Sequence, residues 1–164
     1  MSNSIAEPAH ATCPVCNEAF VADLWLVVDE AERPDLIELA RERRLHDLVC
    51  PRCGGTAGHA DHDLVVYRPT KAPRLLYAPS SQPDEDDIPS LLAALRERLG
   101  DAWDDQWAQS ILRVDAATLP VALSDDPDLL AKLMLEETAR EITRLEQDRP
   151  DLYGEIRSAF GMIE

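Results

Sequence analysis

Cys13-Pro14-Val15-Cys16 and Cys50-Pro51-Arg52-Cys53 hold all four cysteines of the chain, and both read Cys-Pro-x-Cys. A Cys-x-x-Cys turn presents two thiolates to one ion, and two such turns supply the four soft ligands of a tetrahedral zinc site. Cys13, Cys16, Cys50 and Cys53 are therefore the expected ligands of one structural Zn2+. Proline after each first cysteine fixes φ and narrows the turn's options. Gly54 follows the second pair, where a sharp exit of the chain favours φ > 0. Asn17 takes the same place after the first pair and is the next most tolerant residue there. Four thiolates leave no position open for water or substrate, which argues against zinc hydrolysis.

Residues 17–49 lie between the pairs, a longer interval than a zinc ribbon usually has. They predict a strand over Phe20–Asp29, rich in β-branched and aromatic residues, and a short helix opened by Pro34. Leu36, Ile37, Leu39 and Ala40 share that helix's apolar side. Two more strands are predicted at Asp63–Arg68 and Arg74–Ala78, joined by a stiff segment with Pro69 and Pro73. Composition then changes. Residues 80–87 read as an exposed acidic linker ending in Asp84-Glu85-Asp86-Asp87. Beyond it Ile88, Leu91, Leu92, Leu95 and Leu99 recur at helical spacing, with Gly100 as a stop. Trp103, Trp107 and Ile111 suggest a second helix. Asp126 and Pro127 open a third, and Pro150 a last one with Leu152, Ile156 and Phe160.

The expected organisation is a flexible tail at 1–11, a zinc-knuckle domain at 12–79, the linker at 80–87 and a helical region at 88–164. The fold class is α+β: a zinc-ribbon-like β module with an inserted short helix, followed by an α-helical C-terminal half. A core of about 70 residues rarely contributes more than ~3–5 kcal/mol. Loss of zinc is therefore expected to unfold the N-terminal half.

The two knuckles, the Phe20–Asp29 strand, the helix through Pro34-Asp35-Leu36 and the segment Leu45–Val49 entering Cys50 together resemble the CpXC domain of bacteria and archaea. Leu64-Val-Val-Tyr67, Lys71 and Leu75-Leu-Tyr77-Ala-Pro79 look like that family's paired strands. The likeness spans about residues 11–80. Asn17 replaces the family's common glycine, and Arg68-Pro69 stands where aspartate commonly follows the tyrosine. The resemblance implies the zinc fold and carries no activity with it.

The net charge is −16, from 16 basic and 32 acidic side chains. Residues 1–82 carry 8 basic and 12 acidic groups, and residues 83–164 carry 8 and 20, so the acidity belongs mainly to the helical half. Such a surface repels phosphate backbones and anionic membranes. Arg41, Arg43 and Arg44 form the one compact basic patch. The opening Met1–Thr12 lacks the basic start and apolar stretch of a secretory leader, and Leu24–Val28 is too short to span a bilayer. A cytoplasmic protein is expected, in which paired cysteines serve metal or redox chemistry.

Two other readings use the same cysteines. A thiol redox pair needs a helix after the motif to lower the thiol pKa, whereas strand-like sequence follows the first pair and Gly54-Gly55 the second. A nucleic-acid-binding zinc ribbon needs clustered cations, for which only the arginines at 41–44 and Arg52 offer a footprint. His10, His46, His59 and His62 flank the cysteines, and His59-x-x-His62 could chelate by itself, yet they read as loop or surface residues. Trp103 and Trp107 read as the core side of a helix. Asp104-Asp105 and Glu136-Glu137 are adjacent pairs that diverge on a helix, so they read as solvated faces. No serine-nucleophile motif, phosphate loop or metalloprotease helix occurs. The expectation is a non-enzymatic interaction module whose acidic helical half docks a protein partner or a second copy, with no nucleic acid, membrane or small-molecule substrate.

Overall fold

The computed structural model describes residues 1–81, 88–124, 126–151 and 154. Residues 82–87 of the expected linker lie outside the described residues, as do Leu152, Ile156 and Phe160 of the expected last helix. The chain forms two compact units, Met1–Leu123 and Ser124–Glu164. The fold is α+β.

Strand β1 (Ile5–Thr12) pairs antiparallel with β2 (Ala19–Asp29), Thr12 facing Ala19 and His10 facing Val21. The expected flexible tail at 1–11 is thus largely a strand. Its sequence has little β propensity. Pairing with β2 orders it, and Pro8 is tolerated because β1 is an edge strand with one unpaired side. Ahead of β1, the Asn3 side chain donates to Asp29 Oδ2 at 2.9 Å, and the Asp29 amide donates to Ser4 Oγ at 2.9 Å.

Helix α1 (Pro34–Arg41) follows β2, with Pro34 in its first turn and Leu36, Ile37 and Ala40 buried. A separate antiparallel ribbon comes next, β3 (Asp47–Val49) with β4 (Thr56–His59). Strands β5 (Leu64–Tyr67) and β6 (Leu75–Ala78) then return to the main sheet. Every residue of β5 and β6 is buried, as in a strand covered on both faces. The main sheet is completed by β7 (Leu112–Arg113), giving the order β1-β2-β5-β6-β7. The β2–β5 and β6–β7 neighbours are parallel, and the others are antiparallel.

Alternation along the strands divides the core. Val65, Tyr67, Leu75 and Tyr77 pack with Leu91 and Leu95 of α2 (Ile88–Leu99). Leu64 and Ala78, on the other face, line a cavity with Ala40 of α1 and Leu119 of α4 (Leu119–Ala122). Because α2 seals the sheet, the units divide after Leu123 and not at the change of composition near residue 80.

The region after α2 is less uniformly helical than expected. Gly100 ends α2 at φ 55° and starts a 3-10 turn, Gly100–Ala102. The Asp104 side chain accepts from the Gln106 amide at 2.9 Å and begins a new short helix, α3 (Asp105–Gln109). Trp103 and Trp107 therefore do not share one helix, yet both pack on the main core. Their rings meet edge-on at 5.8 Å, and Trp107 lies 5.6 Å from Tyr67.

Arg68 leaves β5 with its amide donating to the Arg74 carbonyl at 2.8 Å, so the ladder continues past the family's usual aspartate position. Its side chain is buried and pairs with Glu30 at 3.4 Å, while Lys71 meets Glu30 at 2.7 Å. In the second unit, Asp126 accepts from the amides of Asp128 and Leu129 and caps α5 (Pro127–Asp148), with Pro127 in the first turn as expected. Leu129, Met134, Leu135 and Ile142 of α5 are exposed. No described helix is long and apolar enough to cross a membrane.

Candidate metal centre

Each cysteine pair forms the turn of a β-hairpin. Residues 13–18 join β1 to β2, and residues 50–55 join β3 to β4. The two turns have the same hydrogen bonds. Asn17 N donates to the Cys13 carbonyl and Gly54 N to the Cys50 carbonyl, each at 2.9 Å. Cys13 N donates to the Glu18 carbonyl at 2.9 Å, and Cys50 N to the Gly55 carbonyl at 2.8 Å. Asn17 and Gly54 both adopt positive φ, 57° and 72°, as expected from the sequence.

The turns face each other and bring Cys13, Cys16, Cys50 and Cys53 into one cluster, with all four sulfurs within 4.8 Å of one another. Cys13 Sγ lies 3.5 Å from Cys53 Sγ, and Cys16 Sγ lies 3.7 Å from Cys50 Sγ. These distances far exceed a disulfide bond of about 2.05 Å. Four sulfurs held at about 2.3 Å from a central ion would be separated by about 3.8 Å. The cluster has that size, so these residues could hold a metal ion.

The floor of the centre is apolar. Cys13 and Cys50 are buried with Phe20, and Ala11, Ala22, Leu48 and Ala57 pack around them. Cys16 is half-buried and Cys53 exposed. Gly55 fits closely beneath the sulfurs. A Cβ there would lie 3.1 Å from Val15 Cγ2, 3.2 Å from Cys53 Sγ and 3.5 Å from Cys13 Sγ. Its amide donates to Cys53 Sγ at 3.4 Å. At the rim, Arg52 of one turn pairs with Glu18 of the other at 3.0 Å.

Four thiols this close cannot all ionise independently. The Cys16 amide outweighs burial and lowers the Cys13 thiol to about 7. The Glu18 amide pulls Cys16 down, but burial and the Cys53, Cys50 and Cys13 thiols outweigh it and push Cys16 up to about 12. Cys53 is also raised: the Gly55 amide lowers it, but the Cys13 thiol, burial and Cys50 work against that amide. A cation at the centre would relieve this repulsion.

The other candidate residues lie elsewhere. No histidine joins the cysteine cluster. His46 is buried rather than superficial, and its Nε2 meets the Trp25 carbonyl at 2.8 Å. The basic patch is engaged within its own unit. Arg41 donates to the Leu123 carbonyl through Nε at 2.9 Å and Nη2 at 2.7 Å, Arg43 donates to the Ala117 carbonyl, and Arg44 pairs with Glu42. The places of Phe20 and Gly55 against the sulfurs, and the β1 strand, are not evident from the sequence pattern. Equal spacing after the two motifs, with Asn17-Glu18 matching Gly54-Gly55, was the available signal for paired hairpins.

Two matching hairpin turns with four convergent thiols, set on an α+β scaffold, define a protein with a cysteine centre able to bind metal. Residues 11–142 match the family described as CpXC protein, and the chain belongs to that family. The match runs well past the 11–80 likeness and takes in α2, β7 and most of α5. No curated protein matches the chain. No solved structure matches it.

Proposed function

We propose that the protein is a non-enzymatic, zinc-stabilised interaction module, with one structural Zn2+ held by Cys13, Cys16, Cys50 and Cys53. The observation that carries this reading is the single cluster of four sulfurs drawn from two hairpin turns. An all-thiolate tetrahedron suits Zn2+ and leaves no vacant position for a reactant. The metal would join β1–β2 to β3–β4 and stabilise the scaffold. A redox role of either Cys-Pro-x-Cys pair fits less well, because both short sulfur contacts, Cys13–Cys53 and Cys16–Cys50, run between the turns.

Docking is assigned to the C-terminal helix, where Leu129, Met134, Leu135 and Ile142 are exposed beside acidic residues. Exposed apolar groups on an acidic helix suit a protein partner or a second copy, and they disfavour nucleic acid. Engagement of Arg41 and Arg43 by backbone carbonyls further reduces the basic footprint. The test combines metal analysis of purified protein with light scattering and affinity capture. One zinc per chain and a dimer or specific partner, lost on Leu135→Glu, are expected. A zinc-free folded protein, or a monomer with no partner, would refute the corresponding half.

A further inference from the structure

A second group of metal-ligating side chains lies away from the cysteines. His46, His59 and His62 line a cavity of about 170 Å³ between α1, the β3–β4 ribbon, the start of β5 and the end of β6. Each ring has one nitrogen next to a protein acceptor. His46 Nε2 lies 2.8 Å from the Trp25 carbonyl, His59 Nδ1 lies 2.8 Å from Asp47 Oδ1, and His62 Nδ1 lies 3.2 Å from the Asp63 carbonyl. A carbonyl or carboxylate accepts only, so each of these nitrogens carries the proton in the neutral ring. The other nitrogen of each ring then has an unshared lone pair. This is how metal-binding histidines are oriented by their outer partners.

His46 makes the strongest case. The residue is buried, its Nδ1 has no hydrogen-bond partner, and it is not among the sealed, unpartnered polar atoms of the described residues. That nitrogen is therefore accessible. The His46 and His59 rings are 6.2 Å apart between centres. Two imidazoles on one tetrahedral ion have centres about 5 Å apart at metal–nitrogen distances of about 2.1 Å. Among the described residues only the cysteines already gather three or more donors within 4.8 Å. Closure on an ion therefore needs side-chain rotation, for which the exposed His59 and half-buried His62 have room.

We infer that His46, His59 and His62 form a second, weaker site for a divalent transition-metal ion, with Asp47 orienting His59. It uses different residues from the cysteine centre, but Asp47 and His59 stand on the β3–β4 ribbon whose turn carries Cys50 and Cys53. The test is titration of untagged, zinc-loaded protein with Co2+, following paramagnetic broadening of the histidine ring signals. His46, His59 and His62 should broaden together, while His10 should not. The double change His59→Ala with His62→Ala should abolish the effect and leave the zinc content unchanged. Asp47→Asn should weaken it about tenfold or more. A folded protein without this broadening, with broadening at His10 alone, or with broadening unchanged in the double variant would overturn the inference.

Discussion

Asn17 and Gly54 occupy equivalent positions in the two cysteine turns, each donating its amide to the carbonyl of its pair's first cysteine at 2.9 Å. Both have positive φ, but only Asn17 carries a side chain. Gly54→Ala should therefore cost about 1–2 kcal/mol through backbone strain alone, since nothing lies within 4 Å of the added Cβ. Asn17→Gly should be neutral or slightly stabilising. Chemical denaturation of metal-loaded protein measures both, and an unchanged midpoint for Gly54→Ala would contradict the turn geometry.

Gly55→Ala should act differently. Its Cβ would crowd Val15 Cγ2 at 3.1 Å and Cys53 Sγ at 3.2 Å, so the Val15 side chain and the Cys53 sulfur must each give by a few tenths of an ångström. Weaker metal affinity is the expected result, measured by competition with a chromophoric chelator. Equal affinity in the variant and the parent would show that the cluster can spread without penalty.

Metal removal should act locally at first. The Cys13–Phe20–Cys50 cluster is separate from the core formed by β5, β6 and α2. Structural zinc supplies apparent binding energies of about 10–16 kcal/mol in finger peptides. Chelation should therefore expose amides of β3, β4 and both turns to hydrogen exchange while Val65 and Tyr77 stay protected. Simultaneous loss of protection in β5 and β6 would instead make the N-terminal half as a whole metal-dependent, as the sequence alone led us to expect.

Metal affinity should rise with pH. Binding needs thiolates, and Cys16, pushed up to about 12, and the raised Cys53 hold their protons near neutrality. The ion must displace them, so added protons oppose binding. Below about 7 Cys13 is protonated too, and one more proton is displaced. A plot of log affinity against pH should therefore lose one unit of slope on rising through that value. A pH-independent affinity would exclude proton displacement.

Arg41→Ala should destabilise the first unit by about 2 kcal/mol, because a half-buried guanidinium donates twice to the Leu123 carbonyl. Arg41→Lys should recover part of the loss, since an ammonium cannot reproduce the planar fork. Thermal unfolding of both variants provides the comparison.

Much of the scaffold could be read from the chain because local chemistry agreed with the fold. Val27-Val28 and Val65-Val66 lie in buried strands, Pro34 opens its helix, and the two cysteine motifs meet. What escaped the reading depends on partners distant in sequence. Ile5–Thr12 becomes a strand only against β2, and Leu112–Arg113 only against β6. Trp103 and Trp107 have helical spacing, but Trp103 ends the 3-10 turn and the Asp104 cap starts α3 only after it. His46 resembled a loop residue because its burial and its contact with Trp25 are tertiary.

Each arm of the sulfur cluster is moored in its own strand ladder, Thr12 to Ala19 on one side and Val49 to Thr56 on the other. A thiolate that lets go of an ion cannot drift off, and recapture should outpace escape. Exchange with free metal should then be slow even where competing chelators are thermodynamically stronger. Such a centre would retain its ion through the life of the protein and serve poorly as a donor to other proteins.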